Sequence, residues 1–176
     1  MLLINSNPIQ SNIKKTSELI VTNDIQQLGE DVYQIQYNEL GQKKMEVESE
    51  LYTKFKSGKQ QFKQPIFNIF QKQPNDQLST LNWVIQADNG YIQQTDILTL
   101  KGNVEGNRIS SSSFKFQTDW LNYNFENKTI DSEADIAIWQ EHNTMNASGF
   151  NMNLKSNKID IQLHNNVLFN FLEVNK

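Results

Sequence analysis

The sequence predicts an all-β protein, an open and twisted antiparallel β-jelly roll or sandwich of about 11 to 15 strands. Short segments in which apolar and polar residues alternate recur along the chain, and turn-forming residues separate them at intervals of about eight to twelve residues. No segment has the periodicity of a convincing helix. A length of 176 residues suits one domain with a real core.

The opening residues, 1–27, are polar and lack clear periodicity apart from Leu19, Ile20 and Val21. We predict a flexible lead-in there, with room for one edge strand, and a single β-jelly-roll domain over residues 28–176. Met1 is followed by three apolar residues, which would fit the end of a longer apolar segment that has been removed.

The first predicted hairpin spans residues 33–51. Its two strands alternate apolar and polar residues on either side of a turn that ends at Gly41, which predicts one apolar and one polar face. The apolar positions are Tyr33, Ile35, Tyr37, Met45, Val47 and Leu51.

A lysine-rich connection over residues 54–64 leads to Pro65, which marks a strand start because proline cannot donate to a ladder. A short apolar strand, 66–70, follows. The lysines form the densest basic cluster of the chain and would suit anionic head groups, although a solvated hinge is the favoured interpretation. They are Lys54, Lys56, Lys59 and Lys63, with Lys43 and Lys44 nearby.

A second hairpin is predicted over residues 81–104, where one strand ends in Ala87-Asp88-Asn89-Gly90 and the next ends in Gly102-Asn103-Val104. Asn-Gly and Gly-Asn pairs are typical of tight turns. The remaining strands are predicted at 109–116, 120–125, 134–139, 150–154, 159–163 and 167–171.

Composition excludes several functional classes. The chain has no cysteine, so thiolate metal sites are excluded. It has 16 Lys and Arg against 20 Asp and Glu, and this net negative charge disfavours nucleic-acid binding. No apolar run reaches the roughly 18 residues of a membrane span. The two histidines, His142 and His164, lack metal-ligand spacing, and no nucleophile motif is present. We therefore predict no enzyme, no catalytic or metal site and no cofactor.

The order of several motifs resembles the LptC family, the periplasmic component of lipopolysaccharide export in Gram-negative bacteria, within the LptA/LptC β-jelly-roll superfamily. The resemblance covers about residues 28–172. Its motifs are the 33–41 hairpin, Gln64-Pro65 with its apolar strand, the segment 83–88, the segment 98–104 and the segment 148–152. The order and spacing of these motifs together carry the resemblance. One departure is a short turn predicted between Val104 and Ile109.

The resemblance implies a periplasmic location, with tethering to the inner membrane by an N-terminal helix absent from this chain. It also implies that lipopolysaccharide arrives from an inner-membrane ABC transporter (LptB/LptF/LptG-like) and passes to a soluble LptA-like bridge protein. By position, the family's C-terminal edge, which meets the bridge, corresponds to Val167, Leu168, Phe169, Asn170 and Phe171.

Inward alternation, together with the resemblance, predicts a set of residues that line a lipid path between the layers. They are Ile35, Val47, Phe67, Ile69, Ile85, Leu98, Leu100, Phe116, Phe150, Met152 and Ile161. From alternation alone, a filled core is the competing interpretation.

Two functional alternatives stay open. One is a soluble bridging relative of the same fold, LptA-like. The other is a carbohydrate-binding or adhesion sandwich, which predicts exposed aromatic faces at Trp120, Tyr123 and Trp139, where a lipid carrier predicts buried ones.

Overall fold

The structure is a computed structural model that describes residues 2–3, 24–72, 79–94, 97–109, 114–141, 143–154 and 160–171. These residues form twelve strands joined in one antiparallel system, which confirms the predicted all-β jelly roll. The strands are β1 (Leu2–Leu3), β2 (Ile25–Tyr37), β3 (Lys43–Phe55), β4 (Gln60–Lys63), β5 (Ile66–Lys72), β6 (Ser79–Gln86), β7 (Asn89–Gln94), β8 (Ile97–Arg108), β9 (Phe114–Asn124), β10 (Thr129–Gln140), β11 (Asn143–Asn153) and β12 (Asp160–Phe171).

The long strands each cross from one layer of the jelly roll to the other. The beginning of β3 pairs with β5, while its end pairs with β4. In the same way, the beginning of β8 pairs with β7 and its end with β6. We call the half that contains β5 and β6 the first layer and the half that contains β4 and β7 the second layer. Strands β9 to β12 continue both layers in sequence order.

A line of backbone irregularities marks the corner where the strands pass between layers. Register shifts interrupt β8, β9, β10, β11 and β12 between the two layers. Positive φ angles occur along the same line at Asp31, Gln64, Gly102, Asn103 and Gly149. Since bulges bend a strand and increase its twist, these residues turn one sheet into two facing layers.

Asp88, between β6 and β7, connects β8 with the β4–β5 junction at this corner. Its backbone N–H donates to the Gly102 carbonyl at 2.9 Å, and its carbonyl accepts from the Gln64 N–H at 2.8 Å. Its carboxylate accepts a further hydrogen bond, at 2.8 Å, from the side chain of Asn103. The acidic side chain thereby holds Asn103 in its left-handed conformation, with φ of 46°.

The predicted 81–104 hairpin is wrong in its connectivity. Asn89 and Gly90 begin β7, which pairs with β4 and β8, whereas β6 pairs with β5 and β8. The chain therefore rounds the corner between β6 and β7 and does not reverse there. Gly102 and Asn103 likewise form a bulge inside β8, which runs on to Arg108, so the short turn predicted after Val104 is also absent.

Several other predicted strands are halves of longer ones. Residues 120–125 largely continue the strand that begins at Phe114, and 150–154 lie at the end of β11. The two segments predicted at 159–163 and 167–171 are one strand, β12. Pro65 does precede a strand, because β5 begins at Ile66. Strand β2 begins at Ile25, within the predicted lead-in, and β1 pairs with it at Ile35 and Gln36.

Buried hydroxyl groups satisfy backbone carbonyls at the corner. Thr118 Oγ1 donates to the Asp135 carbonyl at 2.7 Å, and Ser49 Oγ lies 2.8 Å from the carbonyl oxygens of both Leu51 and Lys63. Both side chains are buried. Where a bulge interrupts the ladder, these hydroxyls replace the missing N–H donors.

We expect Thr118→Val to lower the free energy of unfolding by about 1 to 3 kcal/mol, because it removes a hydrogen bond that a buried hydroxyl donates to the Asp135 carbonyl where the ladder is interrupted. Urea denaturation measures the change. Thr99→Val is the matched control, since the Thr99 hydroxyl donates to the side chain of Asn122 and not to a backbone carbonyl at the corner. Equal losses in the two variants would contradict a special role for the corner hydroxyl.

Candidate functional site

The space between the two layers is filled by one apolar cluster in the part of the chain that the structure describes. Aromatic rings connect its parts. Phe116 lies 6.0 Å from Trp83 and 6.3 Å from Phe150, measured between ring centroids. Phe62 of the second layer likewise meets Phe67 of the first at 5.7 Å. The interior is therefore continuous across the layers.

The structure brings nine of the eleven predicted lining residues together in this cluster. Each of the nine is buried with at most 7% of its surface exposed: Val47, Phe67, Ile69, Ile85, Leu98, Leu100, Phe116, Phe150 and Met152. Ile161 pairs with Met152 in the β11–β12 register, but its side chain lies outside the described part. That these residues contact lipid stays a prediction.

The position of Ile35 differs from the predicted inward-facing one. The register pairs Ile35 with Glu46 and Gln34 with Val47, so Ile35 lies on the outer face and Gln34 on the inner face. Gln34 is only 5% exposed and is hydrogen-bonded to Tyr52. The apolar face of β2 predicted to be internal therefore faces outward.

A polar contact stabilises this outward arrangement. The Tyr33 hydroxyl donates to Glu46 Oε1 at 2.7 Å, which raises the pKa of Tyr33 to about 12. Burial raises the pKa of Glu46, but hydrogen bonds from Lys43 and Tyr33 outweigh it, so the net shift is downward. The sequence alone does not show which face of a strand a tyrosine occupies, because its ring suits the interior and its hydroxyl suits the surface.

One end of the jelly roll has an open mouth, a pocket of about 710 Å³ between the β2–β3 turn, β5, β6 and the β9–β10 turn. Three lysines line it, Lys43, Lys44 and Lys128. The Nζ atom of Lys43 lies 5.0 Å from the centroid of Phe70, and that of Lys44 lies 5.9 Å from the centroid of Phe125. Phe125 belongs to the interior cluster, so this basic mouth adjoins the apolar interior.

The basic cluster predicted from sequence is divided between the two ends of β3. Lys43 and Lys44 begin that strand at the basic mouth, while Lys54 lies at its far end. The β3–β4 turn adds Lys59, whose Nζ atom lies 5.9 Å from the Phe55 ring and 5.7 Å from the Tyr91 ring. Sequence reasoning missed Lys128, because only the tertiary fold brings it beside Lys44.

The sheet has edge strands at both ends of its order. Strand β12 is the terminal strand at one end. At the other end β1 covers only Ile35 and Gln36 of β2 within the described residues. The predicted partner edge, residues 167–171, lies in β12 and pairs with the beginning of β11. Because an edge strand presents backbone donors and acceptors on its outer side, both edges are suited to strand addition.

The aromatic residues do not form the exposed platform that a carbohydrate-binding sandwich predicts. Tyr123 is 3% exposed, and burial raises its pKa. Trp120 and Trp139 are half-buried, with Lys115 placed 5.8 Å from the Trp139 ring centroid. Tyr123 instead packs against Phe125 inside the cluster.

Over the described ranges, no group of three or more His, Asp or Glu side chains has the arrangement of a metal site. No helix with the length and apolar character needed to cross a membrane occurs in those ranges either.

Comparison with known proteins identifies the family. The model of the LptC family, described as lipopolysaccharide-assembly, LptC-related, matches residues 1–168. No curated protein gives a significant match. The family is a periplasmic transport component of lipopolysaccharide export and is not a known enzyme family. The match extends over nearly the whole chain and agrees with the jelly roll, so the chain belongs to the LptC-related family of lipopolysaccharide-assembly proteins.

Proposed function

We propose that this protein carries lipopolysaccharide between its two layers, receiving it from the inner-membrane ABC transporter (LptB/LptF/LptG-like) and passing it to a soluble LptA-like bridge protein. The continuous apolar interior supports the proposal most directly. It is lined by residues from both layers, including Leu100, Phe116 and Phe150, all with 0% exposure. Such an interior suits acyl chains, and membership of a lipopolysaccharide-assembly family supplies the lipid class.

Lipid binding requires the two layers to move apart. Moving an acyl methylene from water into an apolar site is favourable by about 0.8 kcal/mol, so several chains together supply a large driving force. Against this stands the loss of the ring contacts that now fill the interior. Because the two terms have opposite sign, the net affinity is smaller than the transfer term alone would give, which helps the lipid to leave, as a carrier requires.

The two sheet edges are proposed as the partner sites. Residues 167–171 of β12 would add to a strand of the soluble bridge, and the outer side of β2 would face the transporter. Strand addition at both ends would join the apolar interiors of successive jelly rolls. In this arrangement the protein works in the periplasm, tethered to the inner membrane by an N-terminal helix, and performs no chemical step.

Photo-crosslinking tests the interior. Benzoylphenylalanine at Phe150 or Ile85 should crosslink lipopolysaccharide, because both side chains belong to the interior cluster. Matched controls are Asn151 and Val84, which are adjacent in sequence and only half-buried on the opposite face. Crosslinks that form equally from the controls, or only from them, would contradict binding between the layers.

A further inference from the structure

The end of β3 and the turn that follows it carry three lysines at the end of the second layer away from the corner. We call Lys54, Lys56 and Lys59 the basic tip. Lys54 and Lys59 are half-buried, and Lys56 is exposed. Within the ranges that the structure describes, no carboxylate lies within ion-pair distance of these three ammonium groups. The basic tip therefore presents positive charge that the described side chains do not compensate.

The structure shows a hydrogen-bonded turn in place of the hinge that the sequence favoured. The Gly58 N–H donates to the Phe55 carbonyl at 2.9 Å, and the Phe55 N–H donates to the Lys59 carbonyl at 2.9 Å. Gly58 has a φ of 86°, in the region that favours glycine. The Lys56 N–H also donates to the Asp24 carbonyl at 2.8 Å. Because the backbone of the turn is held in place, less entropy is lost when its lysines bind a partner.

Apolar side chains accompany the lysines on the outer face of the second layer. The Nζ atom of Lys59 lies 5.9 Å from the centroid of Phe55 and 5.7 Å from that of Tyr91. Both rings are half-buried, and neither belongs to the interior cluster. Leu28, which pairs with Thr53 near the same turn, is 63% exposed. Lysines combined with aromatic and aliphatic side chains are typical of surfaces that lie in the head-group region of a membrane.

We propose that the basic tip, with the Phe55 and Tyr91 rings beside it, binds the surface of a membrane that contains anionic phospholipids. Charge complementarity selects this partner, because uncompensated lysines are attracted to a negatively charged lipid surface. The rings are amphipathic in position, with one side packed on the protein and the other toward solvent, which suits the border between water and lipid. They lie outside the interior cluster, so this contact is distinct from lipid held between the layers.

The basic tip lies next to the strand that is proposed to face the transporter. Ile25, at the beginning of β2, pairs with Phe55, and the Lys56–Asp24 hydrogen bond joins the turn to the same strand. A membrane contact there would hold the β2 edge near the membrane, with β12 at the opposite end of the strand order. The contact thus orients the jelly roll, whereas carriage of lipid between the layers does not require it.

Vesicle co-sedimentation with the whole chain tests the proposal. The wild-type protein should bind vesicles of phosphatidylglycerol and phosphatidylethanolamine at low ionic strength, bind phosphatidylcholine vesicles far less, and leave the anionic vesicles as salt is raised. Lys56→Gln/Lys59→Gln should weaken binding to the anionic vesicles about tenfold or more. Lys56→Arg/Lys59→Arg should retain binding, since it preserves both positive charges.

The matched control is Lys63→Gln/Lys101→Gln, which removes the same charge from the corner end of the second layer. Asn89 pairs with both Lys63 and Lys101, so the two lysines lie in one row across the sheet. Along an extended chain Lys63 is about 13 Å from Lys59. That separation exceeds the Debye length of about 8 Å at physiological salt. The control should therefore change the affinity for anionic vesicles by less than about twofold at that salt concentration.

Three outcomes would overturn the membrane contact. One is absence of wild-type binding to the anionic vesicles at low ionic strength, and another is an equal loss in the two glutamine variants, which would indicate non-specific attraction. The third is full competition by inorganic phosphate at millimolar concentration, which would indicate a phosphate site in place of a surface contact. Crosslinking of lipopolysaccharide from Phe150 is independent of these results, so lipid carriage is judged separately.

Discussion

Among the glycines that the structure describes, we expect Gly106→Ala to destabilise the protein most. Gly106 in β8 lies opposite Phe116 in β9. A Cβ atom at Gly106 would lie 2.1 Å from Cε1 and 2.2 Å from Cζ of Phe116, whose ring is 0% exposed. The ring cannot move away freely, because Trp83 and Phe150 pack near it. The loss should be about 3 kcal/mol in urea denaturation.

Two further variants identify the cause of that loss. Asn107→Ala, at the next position and on the other face, should change the free energy of unfolding by no more than about 0.5 kcal/mol. Phe116→Leu should relieve the clash, so Gly106→Ala/Phe116→Leu should lose less stability than the sum of its single variants, by about 1 kcal/mol or more. Additive losses would indicate that the Phe116 ring is not the obstacle.

The Gly106 contact explains how a large ring lies directly on the backbone of the first layer. Without a Cβ, the β8 backbone allows Phe116 to lie directly upon it, a close approach that only glycine permits. This brings Phe116 to the centre of the interior cluster. If the layers separate around lipid, Phe116 should stay on β8 in the first layer and lose its contact with Phe150.

The fold class could be predicted because alternation reports burial on one face, whichever strand is the neighbour. The connectivity could not, because turn residues have two uses in this chain. Gly102 and Gly149 have positive φ angles of 78° and 75°, as in many tight turns, yet both lie inside strands that bend at the corner. The same local conformation serves a hairpin turn and a bulge, and only pairing with distant strands distinguishes them.

The candidate site divides in the same way. In the central strands, alternation correctly predicts which side chains point inward, because neighbouring strands on both sides bury that face. Ile85 and Leu100 are examples. In β2, alternation predicts the wrong face. The register with β3 places Gln34 inward, and Tyr33 donates to Glu46 on the outer face. The basic mouth combines residues 84 positions apart, Lys44 and Lys128, and local sequence carries no signal of that proximity.

Phe169→Pro is expected to abolish binding to the soluble LptA-like bridge. Phe169 lies within β12, where it is paired with Met145 of β11. Proline removes a backbone donor and fixes φ near −65°, a conformation that a continuous ladder does not accept. Since β12 is the last strand of the sheet, the distortion should fall on strand addition more than on the core. Surface-immobilised bridge protein should therefore show no measurable binding of the variant.

A proline at the opposite edge is the matched control. Glu30→Pro alters β2, where residue 30 pairs only with Leu51 of β3 among the described strands. It should leave bridge binding unchanged and weaken capture by the transporter complex, whereas Phe169→Pro should give the reverse pattern. Near-ultraviolet circular dichroism establishes that both variants retain a packed interior. Undiminished bridge binding by a folded Phe169→Pro variant would exclude β12 as the docking edge, and the direction of lipid transfer along the sheet would then have to be assigned from β2.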